Sequence, residues 1–424
     1  MSSISRTEQK RIYIKGISGA KPPIPMSYEG MRKAAKEKLS PEAYTYVAGG
    51  AGREETKFSN RRAFMEWEIE PTMLPGEKNV DLSTEFLGKV HKSPFFLAPI
   101  GVLDMAYPKG DLAAARAAAA EGVPNLFSNQ ASESMEACAK EMGQAERYFQ
   151  LYYSKSQDLV QSLVQRAENC GCSAIVVTLD TTRLGWRRRD LDLGFLPFLR
   201  GQGIAQYTSD PVFQNLLDER SSEKQASELK PSVTLTTLKT LWRQKKHYPG
   251  GWKKWISSRP TLAVQTFIDI FSRSNLSWDD ILRLREYTDL PIILKGIQSE
   301  ADAQKAIDLG VDGLYISNHG GRQVDGAQAS LQSLIAIRKL VGNDYPLFFD
   351  SGIRSGADAM KALCLGATAV GIGRPYVMAL ALAGEKGIRH LLRYYQAELE
   401  QNMFLSGCMS ISALGAERLK HRSH

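Results

Sequence analysis

The chain reads as an α/β protein built on a closed (β/α)8 TIM barrel, with a helical N-terminal extension and a long insertion after the fourth strand. Three observations predict this. Eight short apolar runs follow residue 94, most of them trailed by a helix-forming stretch. The runs are continuously apolar, as strands covered on both faces are. Nearly every run ends on polar or glycine residues, the side chains that a barrel gathers on one face. At 424 residues the chain has room for a barrel with additions.

The extension, residues 1–94, opens polar and then passes through a proline-rich entry, Lys21 to Pro25. A helix is expected over Tyr28 to Leu39. Tyr44 and Tyr46 then precede the glycine-rich turn Gly49 to Gly52, which reads as a packed helix end. The barrel, residues 95–424, starts with a strand at Phe95 to Gly101 and a helix at Asp111 to Ala120, since alanine costs least in a helix. Further strands are expected at Asn125–Gln130, Arg147–Tyr152, Ala174–Asp180, Pro291–Ile297, Gly313–His319, Pro346–Ile353 and Ala369–Pro375. Intervening helices are expected at Ser156–Asn169, Ala301–Leu309 and Gly356–Leu365.

The rhythm lapses over about residues 190–275, until Trp278 to Leu284 restores a helical pattern. This insertion leaves the carboxyl end of the fourth strand, so it is expected to be a structureless, mobile cover over that face. Within it, Trp242 to Tyr248 and Trp252 to Trp255 interleave cations with aromatics, whereas Ser221 to Lys230 is largely polar. Locally packed tryptophans on a solvated loop are the expectation, rather than a nucleic-acid or membrane surface.

Composition narrows the class. Hydrophobic residues at 43% and charged residues at 24% are those of a water-soluble globular protein. No apolar run approaches membrane-spanning length, and Met1 to Lys21 lacks the apolar core of a signal peptide, so a cytoplasmic protein is expected. The five cysteines, Cys138, Cys170, Cys172, Cys364 and Cys408, lack zinc-site spacing and read as reduced, buried thiols. The net charge of +8 is concentrated in places such as Arg187 to Arg189 and Arg243 to Lys254, and does not decide the function.

The strand ends carry the chemistry. In order they present Gly101, Ser128 with Gln130, Gln150 with Tyr152, Thr178 with Asp180, Lys295, His319 with Arg322, Asp350 with Arg354, and Gly373 with Arg374. In Ser317 to Gln323, a histidine able to take a proton stands three residues before an arginine able to grip a carboxylate. That pairing suits a substrate bearing both a hydroxyl and a carboxylate. Behind the seventh and eighth strands, Gly352 with Arg354 and Gly373 with Arg374 form glycine–arginine loops. These occupy the usual phosphate site of this architecture and imply an anchored phosphorylated cofactor.

Ser317 to Gln323, the Leu179-Asp180-Thr181 and Gly185-Trp186-Arg187 elements and the two phosphate loops together resemble the FMN-dependent α-hydroxy acid oxidase and dehydrogenase family, from about Met26 to Gly407. Within it, the chain looks most like lactate 2-monooxygenases, through Pro25 to Tyr28, Tyr46 to Gly50, Pro99 to Gly101, and Pro197 to Gly201 leading to Asp210 to Phe213.

The resemblance implies FMN as cofactor and no metal. It makes His319 the base, paired with Asp180. Arg322 and Arg187 lie near the substrate, with Arg322 the firmer carboxylate clamp, and Tyr46 from the extension and Tyr152 bond its carboxylate and hydroxyl. Whether the electrons leave as hydride or through a carbanion stays open. Lys295 falls beside the flavin N1 and O2 edge. Pro99, Ile100, Gly101, Ser128, Gln150, Thr178 and Ser317 fall against the ring or ribityl chain, Asp350 on the ribityl hydroxyls, and Gly352, Arg354, Gly373 and Arg374 around the phosphate. Gln130 stands where plant glycolate oxidases have tryptophan, which implies a more polar substrate wall. Gly101 stands where many oxidases of the family have alanine, and reads either as added room near N5 or as tight backbone packing.

The implied reaction is oxidation of a small L-2-hydroxy acid, foremost L-lactate, by O2 with decarboxylation to acetate. The alternatives are a simple oxidase releasing the 2-oxo acid and hydrogen peroxide, a membrane-associated dehydrogenase serving a quinone, and a non-catalytic sensor. A homotetramer or homo-octamer is implied, with no nucleic acid and no membrane partner expected.

Overall fold

The structure, a computed structural model, describes residues 3–422 apart from 75, 77, 78, 223–231 and 233. Eight parallel strands close into a barrel: β1 (Phe95–Leu97), β2 (Asn125–Phe127), β3 (Arg147–Leu151), β4 (Ile175–Thr178), β5 (Ile292–Ile297), β6 (Gly313–Ile316), β7 (Leu347–Phe349) and β8 (Ala369–Ile372). They pair in chain order, and β8 returns to β1 through Val370 opposite Phe95 and Ile372 opposite Leu97.

Alternation along each strand separates two apolar layers. Phe96, Leu126, Tyr148, Val176, Ile293, Tyr315 and Phe348 fill the barrel interior. Their neighbours, such as Phe95, Leu97, Phe149, Val177 and Leu294, face the surrounding helices. This is why apolar residues occur on both faces of the strands. One contribution was not foreseen: a hairpin of Thr84–Phe86 and Lys89–His91 puts Phe86 against Phe348, with ring centroids 5.4 Å apart, at the amino-terminal mouth of the barrel.

The expected strands all form, but most are shorter at their carboxyl ends. The run expected to reach Gly101 leaves the ladder after Leu97, and that expected to reach His319 leaves after Ile316. His319 itself has φ +56°, a left-handed conformation incompatible with a strand. The expected helices form within a residue or two, as in Tyr28–Lys38, Gln157–Asn169, Glu300–Asp308, Gly356–Cys364 and Trp278–Leu284. Tyr46 sits in the helix Pro41–Ala48, capped by the Ser40 side chain and ending at the glycine-rich turn.

The insertion is the main correction. Instead of a structureless cover it carries helices at Arg188–Asp192, Ala205–Thr208, Pro211–Ser222, Leu235–His247, Lys253–Ile256 and Arg259–Ile270. A buried aromatic cluster holds it: Tyr207 meets Phe267 at 4.8 Å and Phe213 at 5.7 Å, and Phe198 meets Phe267 at 5.3 Å. Trp242 and Trp255 do pack together, 6.1 Å apart, but Trp242 remains 53% and Trp252 69% exposed. In the stretch Ser221 to Lys230, residues 223–230 lie outside the described residues.

All five cysteines are buried free thiols. Among the described residues no helix is long and apolar enough to cross a membrane, and no cluster of side chains is arranged to hold a metal ion.

Candidate active site

The carboxyl ends of the strands open into one cavity. Tyr46, Tyr152, Arg187, His319 and Arg322 line it together with Gln130 and Gly101. Gly352, Arg354, Gly373 and Arg374 line the same cavity, as do Lys295, Asp350, Pro99 and Ile100. The remaining expected site residues stand behind the wall. Gln150 Nε2 donates to Thr178 Oγ1 (3.0 Å), while its Oε1 accepts from Ser128 Oγ (3.4 Å), linking three adjacent strand ends. Ser317 Oγ accepts from Lys295 Nζ (3.2 Å) and donates to Asp350 (2.6 Å).

Asp180 is also behind the wall, and its Oδ1 lies 2.9 Å from His319 Nδ1. Thr181 donates to the same oxygen at 2.9 Å, whereas Asp180 Oδ2 is buried without a partner. Gly296 on β5, at φ +104°, makes this closeness possible, because a Cβ there would sit 2.9 Å from the Asp180 Cβ. Burial pushes the Asp180 carboxyl up, but the charges of His319 and Lys295 outweigh it and hold the group below the usual carboxylate range. Burial pulls the His319 pKa down and outweighs the opposing pull of Asp180, which favours the neutral imidazole. A neutral imidazole beside a fixed anion can accept a proton and be stabilised once charged.

The cavity is rich in positive charge. Burial, with Arg187 nearby, lowers Arg322 to about 9. Burial, with Arg354 nearby, lowers Arg374 to about 10. Arg322 lies over the Tyr46 ring at 4.9 Å and bonds the carbonyls of Tyr46 and Gly49, so it also anchors the extension. Arg374 bonds the carbonyls of Val47, Gly320 and Gly49, a holding role that its phosphate assignment did not foresee. Burial keeps the Tyr152 hydroxyl well above its ordinary pKa, hence protonated and able to donate.

This excess of cation suits two anions, a substrate carboxylate and a cofactor phosphate. Arg354, stacked on Tyr28 at 4.2 Å, keeps its Nε buried without a partner, and a Cβ on Gly373 would project into open space bordered by Ile100 at 3.8 Å. Both features fit a phosphate cradle. Gly101 is different. A Cβ there would sit 2.8 Å from the Gln130 carbonyl oxygen and 2.9 Å from its Cβ, so this glycine serves close backbone packing.

Sequence reasoning assigned no role to several cavity residues. Thr181 and Ser351 lie in quoted motifs and could have been read from their hydroxyls beside Asp180 and Asp350. Leu184, in the loop before the insertion, and Phe198, within it, line the cavity but carry no polar signal. Asn60 and Asn318 exchange hydrogen bonds of 2.8 and 2.7 Å across 258 residues of sequence, a pairing that no local pattern could reveal.

A barrel with its polar side chains converging at the strand ends and arginines behind the last two strands has the layout of a TIM-barrel enzyme with room for a phosphate. Comparison with known proteins sharpens that class: residues 35–421 match the FMN-dependent dehydrogenase family, and the chain belongs to it. It is 37% identical over 407 residues to an FMN-dependent alpha-hydroxy acid dehydrogenase of Schizosaccharomyces pombe, covering 95% of this chain and 93% of that one. It is 35% identical over 411 residues to the L-lactate oxidase of Lysinibacillus sphaericus, covering 97% and 96%. A crystal structure of a lactate oxidase of Pediococcus acidilactici superposes with a TM-score of 0.76 at 31% identity, covering 94% and 96%. The chain is thus an α-hydroxy acid oxidoreductase whose cofactor is FMN.

Proposed function

We propose that this enzyme oxidises a small L-2-hydroxy acid, with L-lactate as the reference substrate, and uses O2 to decarboxylate the product to acetate, carbon dioxide and water. The observation that carries the first half is the His319–Asp180 pair, facing the same cavity as Arg187 and Arg322. In this reading the two guanidiniums hold the substrate carboxylate while the tyrosine hydroxyls of Tyr46 and Tyr152 bond its oxygens. Two-point binding of that kind fixes the α-carbon in one orientation, worth on the order of several kcal/mol of barrier.

His319 then takes a proton from the substrate. The imidazolium that forms is stabilised by Asp180, whose charge no arginine cancels. FMN, when bound there, would supply the two-electron chemistry that links the substrate to O2. Lys295 and Arg354 with the Gly352 and Gly373 loops would hold it. The second half rests on enclosure. Tyr46, Leu184 and Phe198 line the cavity, and in this reading they retain pyruvate while O2 is reduced, so that the oxidant formed there decarboxylates it before release.

The L-lactate oxidase relative favours a second reading, in which pyruvate leaves first and the products are pyruvate and hydrogen peroxide. A mass balance separates the two. Acetate formed one for one with O2 consumed, with or without catalase, supports decarboxylation inside the site. Pyruvate accompanied by peroxide establishes the oxidase instead.

A further inference from the structure

The catalytic loop ends on Gln323, whose carboxamide meets four partners. Its Nε2 donates to the carbonyls of Asp180 (2.7 Å) and Arg183 (2.9 Å). Its Oε1 accepts from the Gly185 amide (3.3 Å) and from Arg187 Nη2 (3.0 Å). The loop leaving β4 can lie this close because residue 185 is glycine: a Cβ there would sit 2.3 Å from the Arg322 carbonyl oxygen and 2.8 Å from Gln323 Cα. Arg187 has one further bond, from Nε to the Arg322 carbonyl at 3.3 Å. Both of its acceptors are therefore neutral oxygens, although the guanidinium is buried and lines the cavity.

A carboxylate in this place would form a charge-assisted pair with Arg187 and cancel much of the charge it presents to a ligand. A carboxamide fixes the same geometry and leaves the cation whole. We propose that Gln323 is a positioning residue that aims Arg187 with a neutral acceptor, keeping its charge for the substrate carboxylate, while its amide end ties the Asp180 backbone to the His319 loop. This rests on the reading above, in which Arg187 meets that carboxylate.

The test compares Gln323→Glu and Gln323→Met, both as FMN holoenzymes. Each is assayed for KM and kcat with the 2-hydroxy acid that the wild type oxidises, and for the Kd of oxalate, an unreactive dicarboxylate, by titration of the flavin absorbance. Thermal midpoint and FMN content report folding. Glutamate keeps the size and one of the bonding oxygens but sets its other oxygen against the Asp180 and Arg183 carbonyls. A merely structural role therefore shows as a lowered thermal midpoint or FMN content that tracks the loss of activity, whereas the charge-preserving role shows as lost oxalate affinity at an unchanged midpoint. Gln323→Glu is expected to weaken oxalate binding and raise KM by about tenfold or more, exceeding its effect on kcat, and Gln323→Met by about threefold.

Protonating the introduced carboxyl at low pH should also narrow the oxalate gap between Gln323→Glu and wild type, read against the facing groups Arg187, Asp180, Arg183, Arg322 and Asp190. Equal or greater loss in Gln323→Met than in Gln323→Glu overturns the proposal. So does a methionine variant that binds oxalate as the wild type does, which would suffice if the glutamate variant failed to fold. A wild-type holoenzyme that neither oxidises a 2-hydroxy acid nor binds oxalate overturns the underlying functional reading, and this inference with it.

Discussion

His319 and His390 each face a carboxylate, and only one of these two pairs is arranged for chemistry. His319 bonds Asp180 at 2.9 Å, with the imidazole facing a cavity. His390, on the long helical segment after β8, approaches Glu8 at 3.8 Å and Arg11 at 3.3 Å, and its Nε2 is buried without a partner. Glu8 is already bound through both oxygens by Arg11, which holds its carboxyl below the usual range. Asp180 keeps an uncommitted oxygen, and although the Lys295 charge acts on it, its ion-pair partner among the described residues is His319. Burial and a nearby acid therefore do not make a base. A base needs a free nitrogen that a reactant can reach and an anion that has not been spent elsewhere.

The strongest way to break this contrast is His319→Gln. It should retain bound FMN but slow flavin reduction by L-lactate by about three orders of magnitude, followed anaerobically in a stopped-flow instrument. Reduction at the wild-type rate would remove His319 as the base.

Asp180→Asn should cost about a hundredfold in kcat/KM and move its pH profile. In the wild type, burial places the His319 pKa below its ordinary value, so activity is present near neutrality and lost as pH falls through that lowered pKa. Without the Asp180 charge the pKa falls further. The acid limb should therefore shift to lower pH while the plateau drops, and an unmoved limb would mean the pair is not coupled.

Arg322→Met should raise KM and lower kcat together, by about 2–4 kcal/mol in kcat/KM, since it leaves a carboxylate unpaired and releases the Tyr46 helix. Steady-state kinetics with oxalate inhibition would check this. The smallest effect belongs to the other histidine: His390→Gln should leave turnover within about twofold and change stability by about 1 kcal/mol, read from urea unfolding.

What could be read from the sequence follows the range over which the forces act. The strands were legible because burial on both faces leaves continuous apolar runs, and the site because barrel geometry carries strand ends to one face. His319, Asp180 and Arg322 were therefore placeable from the chain alone, whereas Arg187 was placed only through the family resemblance. The insertion was not. Its order depends on Phe198, Tyr207, Phe213 and Phe267, which meet only after the chain doubles back and show no single period. The second task of Arg374 escaped for a related reason, since its acceptors Val47 and Gly49 are backbone carbonyls more than 300 residues away, and any side chain sequence would supply them.

The helix bearing Tyr46 is set between two attachments to the far end of the chain. The preceding helix, Tyr28–Lys38, packs on Arg374–Leu405, and the strand after it, Trp67–Ile69, pairs antiparallel with Leu419–His421. On the ribosome, residues 28–69 emerge long before the segments that hold them. The Tyr46 wall of the cavity therefore depends on partners made much later in the chain, and its carbonyl contacts cannot form before Arg322 and Arg374 exist.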